Sequence, residues 1–191
     1  MKQFLIILFV LLSAKLWAQQ KSFPLDDNGK YIYYKVVDSQ SVNRDSLMLR
    51  ARGFITKNKQ YISTENASDT AITAKGKTII DKTVLVASHP SGEVKYSFNF
   101  EVRPGKYRYW FSNFEFIPYQ RDRYGNYVAT KNIGTPLERS PSKLAAAEWK
   151  AILASAYTKI DKIAADFQKS LATERKPQAR KKEEKISVKK W

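Results

Sequence analysis

Lys95 to Phe116 read KYSFNFEVRPGKYRYWFSNFEF, two aromatic-rich runs joined by Pro104 and Gly105. Arg103, Pro104, Gly105 and Lys106 suit a type II turn, because proline presets its own backbone angle and glycine supplies the positive one that follows. If Arg103 faces Lys106, then Val102 faces Tyr107, Phe100 faces Tyr109 and Phe98 faces Phe111. Side chains alternate along a strand and cross-strand partners share a side, so these six residues form one apolar face. That face is a core.

The same register sets Glu101 against Arg108, Asn99 against Trp110, Ser97 against Ser112 and Lys95 against Phe114 on the opposite face. Most of that face is polar, with one exposed ion pair worth under about 1 kcal/mol. Trp110 and Phe114 break the pattern. Either the loop that follows covers them with Tyr119, Tyr124 and Tyr127, or they are available to a ligand. A slip of one residue would exchange the two faces, so the assignment rests on the turn.

Upstream of the hairpin, FPLDDNGK is turn-like, with Asn28 and Gly29, and the adjacent Asp26 and Asp27 cap it. YIYYKVV, from Tyr31 to Val37, has the β-branched and aromatic content of a strand. Asn43 caps a helix running to about Lys57, whose Leu47, Ala51, Phe54 and Ile55 recur at spacings of three and four. Gly53 within it costs about 1 kcal/mol against alanine. Strands follow at Gln60 to Thr64 and Ala71 to Asp81. In the second, Ile72, Ala74, Gly76 and Thr78 lie on one side and Thr73, Lys75 and Lys77 on the other. Gly76 marks a bulge or the close approach of a packed helix. TVLVAS prolongs that strand or begins another, and HPSG turns the chain into the hairpin.

Downstream, residues 117–140 form a loop long for a compact domain, which points to a function of its own or to mobility. It carries Tyr119, Arg121, Arg123 and Tyr124. Ser140 and Pro141 suit a helix start. The helix then runs from 141 to 171, with Trp149, Ile152, Leu153, Ala156, Ile160, Ile163, Phe167 and Leu171 as its apolar stripe.

The chain opens MKQFLIILFVLLSAKLWAQQ, with Lys2 before an apolar run that Lys15 ends well short of the roughly 20 residues a spanning helix needs. This is the layout of a secretory signal peptide cleaved after Ala18, which leaves no transmembrane segment. The expected order is then a signal peptide over 1–18, one α+β domain over 19–173 and a tail over 174–191. Cysteine is absent, so neither a disulfide nor a lipid-modified cysteine forms. The net charge is +16, which becomes +14 once Lys2 and Lys15 are removed. In an envelope, such a protein is attracted to lipid headgroups, anionic glycans and acidic proteins. The tail, ERKPQARKKEEKISVKKW, has eight basic and three acidic residues and few apolar ones. It cannot bury enough surface to order itself, and serves as an electrostatic tether or a solubilising appendage.

Strand, helix, four antiparallel strands and a long helix make an α+β sandwich with both helices on one face of a curved sheet of about five strands. FPLDDNGKYIYYKVV, VNRDSLMLRARGFI, ITAKGKT and VKYSFNFEVRPGKYRYWFSNFEF, in this order, resemble an exported family, domain of unknown function 4468, found in Bacteroidetes. The resemblance covers about residues 23–117 and implies a TBP-like fold and an exported compartment. It implies no activity and no site residues, and the fold's DNA-binding namesake does not carry its function here.

Catalytic chemistry finds few residues. His89 is the only histidine, in a turn-like setting, so thiol and zinc chemistry lack ligands. There is no GxSxG and no phosphate-cradling glycine loop, and DRYGN lacks the acidic spacing of a calcium loop. The expectation is a non-catalytic protein without a cofactor. It binds an envelope protein or an anionic glycan or lipid surface through Lys95, Arg108, Trp110, Phe114, Tyr119, Arg121, Arg123 and Tyr124. Two other readings stand beside it. One is single-stranded nucleic-acid binding on the aromatic and basic sheet, which the signal peptide and the register argue against. The other is a hydrolase whose carboxylates come from distant segments.

Overall fold

Gly105 sits at φ 76°, the left-handed conformation required of the third residue of a type II turn. It folds the chain back with Arg103 paired to Lys106, Phe100 to Tyr109 and Phe98 to Phe111. The computed structural model describes residues 22–39, 41–84, 87–139 and 146–173. The expected signal peptide, the expected helix start at Ser140 and Pro141 and the basic tail fall outside these residues.

The elements run β1 (Tyr33–Asp38), α1 (Arg44–Lys57), β2 (Ile62–Ala67), β3 (Ala71–Val84), β4 (Ala87–Arg103), β5 (Lys106–Arg121), β6 (Tyr127–Ala129), β7 (Thr135–Pro136) and α2 (Ala146–Ala172). The strand order is β1-β5-β4-β3-β2, with β6 and β7 also paired to β5. Among the described residues the sheet therefore has seven strands rather than about five, because the 117–140 segment is not all loop and contributes two short strands. HPSG is likewise not a turn. His89 and Pro90 lie within β4, opposite Lys82 and Asp81, and the chain reverses between Val84 and Ala87.

Both helices pack on the face that carries Phe98, Phe100, Tyr109 and Phe111. Asn43 caps α1 by accepting from the Ser46 amide at 2.8 Å, and α1 buries Leu47, Met48, Ala51, Phe54 and Ile55. From α2, Phe167 sits fully buried with its ring 5.1 to 5.3 Å from those of Phe54, Phe98, Phe100 and Tyr109. This one side chain joins both helices to both hairpin strands. Burying a side chain of its size stabilises by about 1.5–3 kcal/mol, and edge-to-face geometry adds to that. Gly76 is the site of a close approach and not of a bulge, but the neighbour is a ring of the adjacent strand and not a helix: a Cβ there would stand 2.4 Å from the Tyr96 ring that lies over it.

One register shift corrects the expected back of the hairpin. Ser97 pairs with Ser112, but Lys95 pairs with Glu115, so two steps on β4 match three on β5. The extra residue falls at Asn113, a non-glycine at φ 54°. Asparagine tolerates this left-handed conformation better than most residues, and a bulge of this kind reverses the alternation beyond it. Phe114 therefore turns to the helix side, where it is 0% exposed and packs 4.5 Å from Phe23. It is a core residue and takes no part in a surface site.

Candidate functional site

Among the described residues no helix lies on the other face of the sheet, and two regions stand out on it. The first is aromatic and basic. Pairing of β1 with β5 sets Tyr34 beside Trp110 and Val36 beside Arg108, with ring centroids of Tyr34 and Trp110 6.5 Å apart. Tyr34 is 47% and Val36 51% exposed. The Arg108 guanidinium lies 5.2 Å from the centre of the Trp110 ring, a cation–π contact. Its Nη2 and Nε sit 2.6 and 2.8 Å from Glu101 Oε2. Hydrogen bonds to Glu101, then to Tyr34, raise the Arg108 pKa above its ordinary value. Arginine is always charged at neutral pH, so what this contact fixes is the orientation of the guanidinium plane.

The second region is a groove of about 570 Å3 crossing β2 to β5, with Lys59, Lys75, Lys77 and Lys95 on its walls. Asn113 lines it too, and its Nδ2 donates to Ser97 Oγ at 3.4 Å, so the bulge that buries Phe114 also shapes the groove. Lys75 pairs with Glu65 at 2.6 Å and Lys77 with Glu93 at 3.1 Å. Lys95 Nζ donates to the Asn132 carbonyl at 3.2 Å. Glu115, opposite Lys95 on β5, is the one carboxylate among the lining residues; Lys59 and Lys95 have no ion pair among the described residues, so the groove keeps a net positive charge.

Glu93 anchors the far end of this face. Its residue is only 5% exposed, and a buried carboxylate needs partners. Lys77 Nζ and the Tyr119 hydroxyl both donate to Glu93 Oε2, at 3.1 and 2.9 Å. Burial, followed by the bond to Glu93, pushes the Tyr119 phenol up to about 12. Beyond it, Arg121 lies 5.8 Å from the Tyr127 ring and Arg123 4.8 Å from the Tyr124 ring. The Asp122 carboxylate accepts from the amides of Tyr124 and Asn126 and so closes the turn between β5 and β6. Hydrogen bonding, foremost from the Asn126 amide, lowers its pKa. Tyr124 at the tip is 73% exposed. His89 stacks on Tyr127 at 5.3 Å with the rings 3° from parallel.

The expected site residues therefore fall into separate groups. Arg108 and Trp110 share the aromatic region, Lys95 lines the groove, and Tyr119 secures the segment beyond β5 to Glu93. Arg121 ends β5, Arg123 and Tyr124 occupy the β5–β6 turn, and the eleven residue steps from Arg108 to Tyr119 span roughly 35 Å. The 117–140 segment meets the sheet at Glu93 and Lys95, whereas the ring and guanidinium contacts of Trp110 are with Tyr34 and Arg108. Sequence reasoning missed Tyr34, Val36 and Lys59. Alternation in YIYYKVV puts Tyr34 and Val36 on one side, but nothing local in the sequence pairs that strand with β5. Among the described residues, no group of three or more histidine and acidic side chains converges as a metal-binding cluster.

Residues 33–117, from the start of β1 to near the end of β5, match the model of the domain of unknown function (DUF4468) with TBP-like fold. This segment of the chain is a DUF4468 domain. Two solved structures share its architecture. A TBP-like protein from Parabacteroides distasonis superposes with a TM-score of 0.61 at 12% identity, over 81% of this chain and 100% of its own. A DUF4468 family protein from Bacteroides ovatus gives 0.52 at 12% identity, over 82% of this chain and 93% of its own. At such identity the likeness establishes the TBP-like fold alone. Among proteins of curated function, none matches this chain. No helix among the described residues is long and apolar enough to cross a membrane.

Proposed function

We propose that this chain is an exported, non-catalytic binding module of the cell envelope, whose open sheet face holds an extended anionic partner. The observation that carries the reading is the lysine-lined groove of about 570 Å3 lying on the same helix-free face as Trp110, Tyr34 and Arg108. Lysines attract an anionic chain and exposed rings give it apolar contact, the combination by which charge steers encounter and aromatic anchors hold the complex. The sequence of the first 18 residues and the net charge of +16 support an envelope setting.

A non-catalytic role is supported by how the ionisable groups are engaged. His89 stacks on Tyr127, Glu93 is held by Lys77 and Tyr119, and Glu101 is held by Arg108. The nucleic-acid alternative needs several rings free for base stacking. Phe98, Phe100, Tyr107, Tyr109 and Phe111 are all buried beneath the helices, which argues against it.

The test is a titration of the isotope-labelled protein, followed by amide NMR, with an acidic polysaccharide and with a neutral one of the same length. The acidic chain should shift amides at Lys75, Lys95, Ser97 and Trp110, with the shifts fading as salt rises. Equal shifts with the neutral chain, or none on this face, would overturn the reading.

A further inference from the structure

We infer that a second pocket, on the helix side of the sheet, binds a small monocarboxylate with an apolar body. The pocket holds about 220 Å3 and opens between the end of α1, the middle of α2 and strands β2 to β4. This lies below the roughly 300–1,000 Å3 of sites that take drug-sized molecules, so its ligand is small. Phe54, Ile62 and Ile163 give it apolar walls.

Two hydroxyls point to the ligand's chemistry. Tyr96 is 3% exposed and Thr78 9% exposed, and both line the pocket. Neither hydroxyl has a hydrogen-bond partner among the described residues, although a buried polar group normally has one. Among those residues no fully enclosed side-chain oxygen or nitrogen is left without a partner, so the Tyr96 oxygen is open to the pocket. The phenol reaches there because residue 76 is glycine: a Cβ at that position would stand 2.5 Å from the Tyr96 oxygen. Burial raises the Tyr96 pKa, which keeps the hydroxyl protonated and able to donate.

The surrounding charges favour an acceptor that is itself negative. Lys77, Lys159 and Lys162 line the pocket, against one carboxylate, Asp166. Lys77 is engaged with Glu93 and Lys159 with Asp81, at 3.1 and 2.8 Å, whereas Lys162 has no ion pair among the described residues. A carboxylate can accept from the Tyr96 and Thr78 hydroxyls with Lys162 near the mouth, while an aliphatic or aromatic body fills the space between Phe54, Ile62 and Ile163. Hydrogen bonds to a charged acceptor are the stronger kind, which sets an acid above its amide.

The pocket shares Tyr61, Ile62, Lys77 and Tyr96 with the lysine-lined groove, whereas Phe54, Thr78, Lys162 and Ile163 line it alone, so shifts at Thr78 and Ile163 and the variants at Thr78 and Lys162 separate its failure from that of the partner face. The experiment titrates the purified protein with phenylacetate, hexanoate and phenylacetamide at millimolar concentration, followed by amide shifts at Ile62, Thr78, Tyr96 and Ile163. Both acids should bind, and the amide at least tenfold more weakly. Tyr96→Phe, which keeps the ring, should weaken phenylacetate about tenfold or more. Thr78→Val and Lys162→Ala should each weaken it severalfold, and they carry the test if Tyr96→Phe does not fold. Absence of binding by both acids, equal binding of acid and amide, or affinity unchanged in all of the folded variants would overturn the inference.

Discussion

The ring of Phe114 packs 4.5 Å from that of Phe23 on the helix side of the sheet, and the left-handed Asn113 immediately before it puts it there. Phe114 and Trp110 thus lie on opposite faces of β5, and their substitution should separate cleanly. Phe114→Ala is expected to destabilise by about 3–5 kcal/mol, the usual result for a buried phenylalanine. Trp110→Ala, at a partly exposed position, should cost about 1 kcal/mol or less. Urea denaturation of the two variants against the parent chain checks both values.

The bulge itself can be tested at residue 113. Glycine accepts a φ of 54° freely, so Asn113→Gly should leave stability within about 0.5 kcal/mol. Asn113→Val places a β-branched side chain in a left-handed conformation and should cost about 1–3 kcal/mol. Hydrogen exchange of the amides on either side of Tyr96 should accelerate in the valine variant and not in the glycine one.

The hairpin was legible in the sequence because every residue needed to read it is local. Pro104 and Gly105 fix the turn, and alternation then assigns Phe98, Phe100, Tyr109 and Phe111 to the core. The helices were legible for the same reason, through Asn43 as a cap and the spacing of Leu47, Ala51, Phe54 and Ile55. Phe114 was misplaced because a bulge changes the period of two without any proline or glycine to mark it; an asparagine flanked by Ser112 and Phe114 is a weak signal. The groove was not legible because its lysines come from the turn between α1 and β2, from β3 and from β4, and only long-range pairing brings Lys59 near Lys95. Pro90 and Gly92 read as a turn, yet both lie inside β4, where Gly92 accommodates Ile117 and Phe116 at distances a Cβ would not permit.

Several buried phenols make the fold sensitive to alkali. Burial raises the pKa of Tyr33, Tyr96, Tyr107, Tyr109 and Tyr157, and burial with the Glu93 bond pushes Tyr119 up to about 12. Unfolded, each would lose its proton near 10, while the folded protein holds it to higher pH. The unfolded state then binds fewer protons, so stability is fully present below pH 10 and falls as pH rises through about 12. Urea midpoints should be flat from pH 7 to 9 and decline steeply above 10, and Tyr119→Phe should flatten part of that decline.

The claim that matters most is that the open face, and not the basic tail, selects the partner. The direct measurement is capture of polyanionic material from solubilised envelope, at low and high salt, by the parent chain, by Trp110→Ala, by Lys75→Glu with Lys95→Glu, and by a chain stopped at Thr173. The account predicts that the parent captures the material at low salt and less of it at high salt, and that at low salt the face variants lose it while the shortened chain keeps it. Capture that survives the face variants and vanishes with residues 174–191 would contradict it.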